Sequence, residues 1–105
     1  MSLEMMVERT KKLEGKFPVE GWSPEIRALD LVEEIGELCS AILEYHGHKT
    51  VPRTSKEPIV DSLCDILFDV LLLFKHYEID IESAYNSMLD ELEDRLNRNE
   101  WGTKQ

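Results

Sequence analysis

Apolar positions in this chain recur at spacings of three and four, the period of an amphipathic helix. Leu3, Met6, Val7, Thr10 and Leu13 fit one such face, and Gly15 ends it, which predicts a first helix over residues 2 to about 15. Phe17 to Trp22 is a connector. Ser23-Pro24-Glu25 is a helix start: a hydroxyl cap, a proline at the first helical position, then an acid near the positive end of the dipole. The second helix, Pro24 to about Tyr45, has an apolar side of Ile26, Leu29, Val32 or Ile35, Leu38, Ala41 and Ile42, and Gly47 stops it. Thr54 or Ser55 precedes Pro58, which begins a third helix running from Ile59 to about His76. Its Leu63, Ile66, Leu67 and the run Val70 to Phe74 cover most of the circumference, so burial on more than one side is expected. Asp80 caps a last helix, Ile81 to about Arg95, with Ile81, Ala84, Tyr85, Met88, Leu89 and Leu92 inward.

No strand alternation, internal repeat or linker is present, so the pattern predicts an all-α fold with a four-helix bundle-like protomer. Residues 1–105 are expected to form one domain: an N-terminal helix and connector over 1–22, core helices over 23–96, a polar tail over 97–105. Four short helices leave little interior for so apolar a third helix. Assembly as a homodimer or homotetramer would bury the excess.

Carboxylates break the apolar pattern at two places. Glu33, Glu34 and Glu37 lie within the second helix, with Asp30 on the same stripe. Glu34 and Glu37, three apart, project to nearly the same side. In the third helix Asp61, Asp65 and Asp69 follow at steps of four on one narrow stripe. Acids on amphipathic helices are ordinarily a solvated face. Aspartates inside an apolar helix are costly to bury unless paired, hydrogen-bonded or bound to metal. The two helices are therefore expected to face each other and hold divalent metal between them. Oxygen-only ligands suit Mg²⁺, with Mn²⁺ as a second choice. A bundle di-iron site needs Glu-x-x-His, and no glutamate here has a histidine three residues later.

Charge narrows the partners. Twelve basic against 22 acidic residues give a net charge of −10, which argues against nucleic acid and against an anionic membrane surface. An anionic small molecule remains compatible if metal inverts the local charge. Lys49, Arg53 and Lys56, in the one basic loop, are candidate phosphate contacts, and Trp22 or Trp101 is a candidate for stacking a base. Cys39 and Cys64 fall in apolar runs and read as buried free thiols. With no signal-peptide core and an apolar run too short to span a bilayer, a cytoplasmic location is expected.

At these residues the chain resembles a family. Glu33-Glu34-Ile-Gly-Glu37-Leu followed by an acidic, apolar third helix looks like the MazG-like nucleotide pyrophosphohydrolases. Gly21-Trp-Ser-Pro-Glu25 and Glu78-Ile-Asp-Ile-Glu-Ser-Ala84 are similar as well, so the resemblance runs from about Gly21 to Trp101. It implies an all-α oligomer that binds Mg²⁺ through Glu-x-x-Glu and Glu-x-x-Asp and cleaves a nucleoside triphosphate to monophosphate and pyrophosphate. Carried over, Glu34, Glu37 and Asp65 match the metal ligands. The fourth position is Ser62, not glutamate. Asp61, one residue earlier, and Asp69 are the candidates to take over its role. Glu33 or Glu37 is the candidate to orient or deprotonate the attacking water. The departure at Ser62 keeps open a relative that binds nucleotide or metal with little hydrolysis, and a structural helical oligomer is the third reading.

Overall fold

The computed structural model describes residues 2–19, 21–49 and 55–102. Four helices follow in order: α1 Leu3–Glu14, α2 Pro24–Tyr45, α3 Glu57–His76 and α4 Ile81–Asn97. Among the described residues there is no strand. Side-chain caps fix three of the four starts. Ser2 Oγ accepts from the Met5 amide, Ser23 Oγ from the Ile26 amide at 3.3 Å, and Asp80 Oδ1 from the Ser83 amide at 3.2 Å. The third start lacks a side-chain cap at Lys56, although Ser55 Oγ accepts from the Glu57 amide two residues on. Gly47 lies just past α2 at φ +78, a left-handed conformation that glycine adopts without strain.

A small core joins three helices. Val7 of α1, Leu71 of α3 and Ile81 of α4 are buried together, with Leu3, Met6 and Phe74 packed around them. A Lys75–Glu8 ion pair and a bond from the Leu3 amide to Glu82 tie the same region. α2 packs along α3. Arg27 meets Asp69 while Glu34, further along α2, feels Asp65, earlier in α3, so the two helices run antiparallel.

The orientation of α2 differs from the expected one. The side turned toward α3 carries Arg27, Asp30, Glu34, Leu38 and Ala41, so it is largely its polar stripe. The apolar stripe points outward, with Leu29 71% and Val32 70% exposed and Ile26, Ile35 and Ile42 also exposed. α4 differs likewise. Only Ile81 is buried, and Tyr85, Met88, Leu89 and Leu92 are exposed, because α4 leaves the core after its first turn and packs chiefly against α1. The radius of gyration is 17.5 Å, against roughly 13 Å for a compact chain of this length. Cys39 and Cys64 are free, but both are exposed and not buried as expected, since the helix faces that bear them are not covered within the protomer.

Candidate functional site

The polar stripe of α2 meets α3 at a cleft of about 320 Å³. Asp30 and Glu34 line it from α2, Asp65, Phe68 and Asp69 from α3, Glu14 from the end of α1, and Phe17, Val19, Gly21 and Trp22 from the connector. Arg27 closes its base. Its guanidinium bonds Asp69 Oδ1 at 2.7 Å and Glu14 Oε2 at 2.9 Å, which joins α1, α2 and α3 at one cation. The same group lies 5.3 Å from the Trp22 ring and 5.9 Å from the Phe68 ring, close enough for cation–π attraction. The Phe17 and Phe68 rings stand nearly parallel, 6.4 Å apart at 11°.

The acidic end of the cleft centres on Glu34. Burial, and after it the charges of Glu37, Asp65 and Asp30, push its carboxyl up to about 7. One of its oxygens, Oε2, is buried without a hydrogen-bond partner. Four carboxylates from two helices thus share one neighbourhood, and the other three each raise the negative charge felt by Glu34. The described side chains do not converge tightly enough to form a ready-made cation cage. Yet hard oxygen donors, an orphaned buried oxygen and mutual repulsion fit a divalent cation, which would satisfy all three at once.

Asp69, the other candidate for the fourth position, is engaged by an arginine. It is 2% exposed and is held by Arg27. Burial and a close contact with Asp30 outweigh Arg27 and push its carboxyl up to about 6. Its Oδ2 has no partner. Asp61 is exposed and is not among the carboxylates that act on Glu34, while Ser62 is buried. Glu33 is exposed on the flank away from this cluster. Lys49 is exposed and does not line the cleft, Trp22 does, and Arg53 lies outside the described residues.

The reading from sequence had no place for Arg27, Glu14, Phe17 or Phe68. Arg27 carried a signal: it precedes Asp30 by three and Glu34 by seven, on the same helical stripe. Glu14 carried none, since only folding brings the end of α1 to α2.

A sequence profile of the MazG nucleotide pyrophosphohydrolase domain matches residues 23–99, most of the chain. The chain belongs to the MazG nucleotide pyrophosphohydrolase family. The MazG fold is matched as well: the structure is similar to the crystal structure of the Bacillus-conserved MazG protein, a nucleotide pyrophosphohydrolase, with a TM-score of 0.72, 25% identity, and coverage of 88% of this chain and 90% of that one. No curated protein matches the chain by sequence. Among the described residues, no helix of this MazG chain is long and apolar enough to cross a membrane.

Proposed function

We propose that this MazG protein is a divalent-cation-dependent nucleoside triphosphate pyrophosphohydrolase that works in the α2–α3 cleft, housecleaning of non-standard nucleotides being one use of such an activity. The observation that carries the reading is the cluster around Glu34, whose raised carboxyl and orphaned oxygen mark a site short of positive charge. Glu34, Glu37 and Asp65 would hold the cation, Mg²⁺ by preference for a hard all-oxygen set, with Mn²⁺ able to replace it. Bound there, it neutralises phosphate charge against an otherwise repulsive acidic wall. The chain's own part is placement. Glu37, one turn from Glu34, is positioned to orient a water toward the α-phosphorus and to accept its proton, with Glu33 as the alternative on the neighbouring flank. The water oxygen bonds to the α-phosphorus, the bond from that phosphorus to the α–β bridging oxygen breaks, and pyrophosphate leaves. Trp22 lines the cleft and offers a face for the base. Lys49 and Arg53 would meet the outer phosphates from the loop after α2. The protein is expected to act as a homodimer or homotetramer in the cytoplasm, with the outward apolar stripe of α2 covered by a second copy.

Pyrophosphate release from a panel of NTPs and dNTPs with Mg²⁺ tests the reading. Wild type should release it, and Glu37→Ala should lose at least about a hundredfold, because charge stabilisation worth several kcal/mol is lost at roughly 1.4 kcal/mol per factor of ten. Ser62→Glu should raise the rate by about tenfold or more, as restoring a ligand or its support commonly does. Release that is unchanged in Glu37→Ala would remove that residue from the mechanism. No release from any nucleotide, together with a nucleotide-dependent rise in melting temperature, would favour a binding protein that hydrolyses little.

A further inference from the structure

Arg27 lines the cleft, and the proposed chemistry does not use it. Among the described residues, none of Pro18, Val19, Gly21 and Trp22 makes a backbone hydrogen bond, so the connector that forms one wall has little of its own to hold it in place. Its ties are side chains. The Arg27 guanidinium lies 5.3 Å from the Trp22 ring centre and 5.9 Å from that of Phe68 on α3, within cation–π range of both. We infer that Arg27 is a positioning residue for the nucleotide: it sets Trp22 in the place from which the ring meets the base, without itself touching the substrate. This rests on the nucleotide reading of the cleft and assigns to Arg27 a part in affinity and none in the chemical step.

Arg27 is itself fixed from two sides. Its Nη1 donates to Asp69 Oδ1 at 2.7 Å and its Nη2 to Glu14 Oε2 at 2.9 Å, so α1 and α3 together set the plane of the guanidinium, and only 6% of the residue is exposed. A planar fork held at both prongs is a rigid surface for a ring to rest on, which the flexible ammonium of a lysine does not provide. The connector meets the same anchor a second time. Gly21 passes beside Glu14, where a Cβ would sit 3.5 Å from Oε2, the oxygen that Arg27 binds. Trp22 remains 48% exposed despite its contact with Arg27, so part of the ring is left for a base to stack on. Phe17, at the start of the connector, stands nearly parallel to Phe68 at 6.4 Å, and both line the cleft with Trp22. An aromatic wall set before the ligand arrives avoids the cost of ordering it on binding. Arg27 also precedes Glu34 by seven residues along α2, about 10 Å of rise, so its effect on the wall is separable from the acids that would hold the cation.

The test reads KM and kcat for pyrophosphate release from ATP, GTP, CTP and UTP with Mg²⁺. Arg27→Lys keeps the charge but loses the fork. It should raise KM by roughly tenfold for the nucleotides that wild type hydrolyses, the scale of one loop side chain ordered only on binding. Its kcat and its calorimetric affinity for Mg²⁺ alone should be unchanged. Trp22→Leu should raise KM to the same extent, and combining the two should be no worse than either alone, because Arg27 acts through Trp22. Arg27→Met with Asp69→Leu separates positioning from stability. It should recover much of the urea stability, as apolar replacement of a buried pair does, yet keep the raised KM. An unchanged KM in Arg27→Lys, an effect confined to kcat, or additive effects of Arg27→Lys and Trp22→Leu overturns the proposal. So does a KM that returns to the wild-type value in the Arg27→Met, Asp69→Leu variant, which decides alone should Arg27→Lys not fold. If no triphosphate is hydrolysed, the activity reading fails by itself, and calorimetry with AMP, GMP, CMP and UMP in chelator decides this one: weaker binding to Arg27→Lys upholds it, and equal binding, or none by wild type, overturns it.

Discussion

Glu34→Gln is expected to move activity and stability in opposite directions. The Glu34 carboxyl is raised from its ordinary 4.5 to about 7, first by burial and then by Glu37, Asp65 and Asp30. For an acid with a raised folded pKa, the folded state favours the protonated form. Its stabilising contribution is complete below about pH 4.5 and is lost as pH rises through about 7. Metal-free wild type should therefore lose stability across that window, and the loss should be absent from the uncharged glutamine variant. At pH 8 with chelator present, Glu34→Gln should melt higher than wild type. Asp69, raised to about 6 by burial and by Asp30, has the same sign and leaves a smaller slope in the variant. Added Mg²⁺ should reverse the order. A cation bound only by the folded state stabilises by about 2.7 kcal/mol at a hundredfold excess over its Kd, and the variant should gain little of this. Its pyrophosphate release should fall by at least about a hundredfold, for the reason given for Glu37. Melting curves from pH 5 to 8, with chelator and with Mg²⁺, read all of this. A glutamine variant that melts no higher than wild type at pH 8 without metal would mean that Glu34 is not crowded by negative charge.

The second large effect belongs to Arg27. Arg27→Ala should destabilise by about 3–5 kcal/mol, because it leaves buried Asp69 and half-buried Glu14 without their cation. For a domain whose total stability is roughly 5–15 kcal/mol, that is a large share. Urea denaturation at neutral pH measures it. The deficit should shrink at pH 5, where Asp69 takes up a proton, and the double variant Arg27→Met with Asp69→Leu should recover much of it by replacing a buried pair with apolar groups. Trp22, which stacks on the guanidinium, should become more exposed in the alanine variant and shift its fluorescence toward that of free tryptophan. A loss below about 1 kcal/mol would put Arg27 in the class of surface ion pairs, contrary to its burial.

The helices were legible because their signals are local. Ser23-Pro24 and Asp80 act as caps where the chain places them, and the bounds of α2 agree with those read from the apolar period. The meeting of acidic stripes was legible too, since Asp30, Glu34 and Glu37 on one helix and Asp65 on the next carry their periodicity in the sequence. What the sequence hid was the facing of α2. An apolar stripe is ordinarily turned to the core, and here Leu29 and Val32 point outward while Arg27 and Asp30 turn toward α3. A periodic pattern gives the width of a stripe, not the partner that covers it. Asp69 shows the same limit. Its place on the stripe with Asp65 was readable, but its ion pair joins residues 42 positions apart, and nothing local marks Arg27 as its partner.

The outward stripe of α2 has a consequence for the protein's lifetime. If its apolar side is completed only by another copy, folding and association form one equilibrium, and stability becomes a function of protein concentration. The melting temperature should rise with each tenfold increase in concentration, and dilution should expose α2 to proteases before α3, whose Leu71 and Leu72 are enclosed within the protomer. A melting temperature independent of concentration over two decades would show that the stripe stays bare. Otherwise the chain's persistence depends on its abundance, with newly made copies open to degradation until they meet.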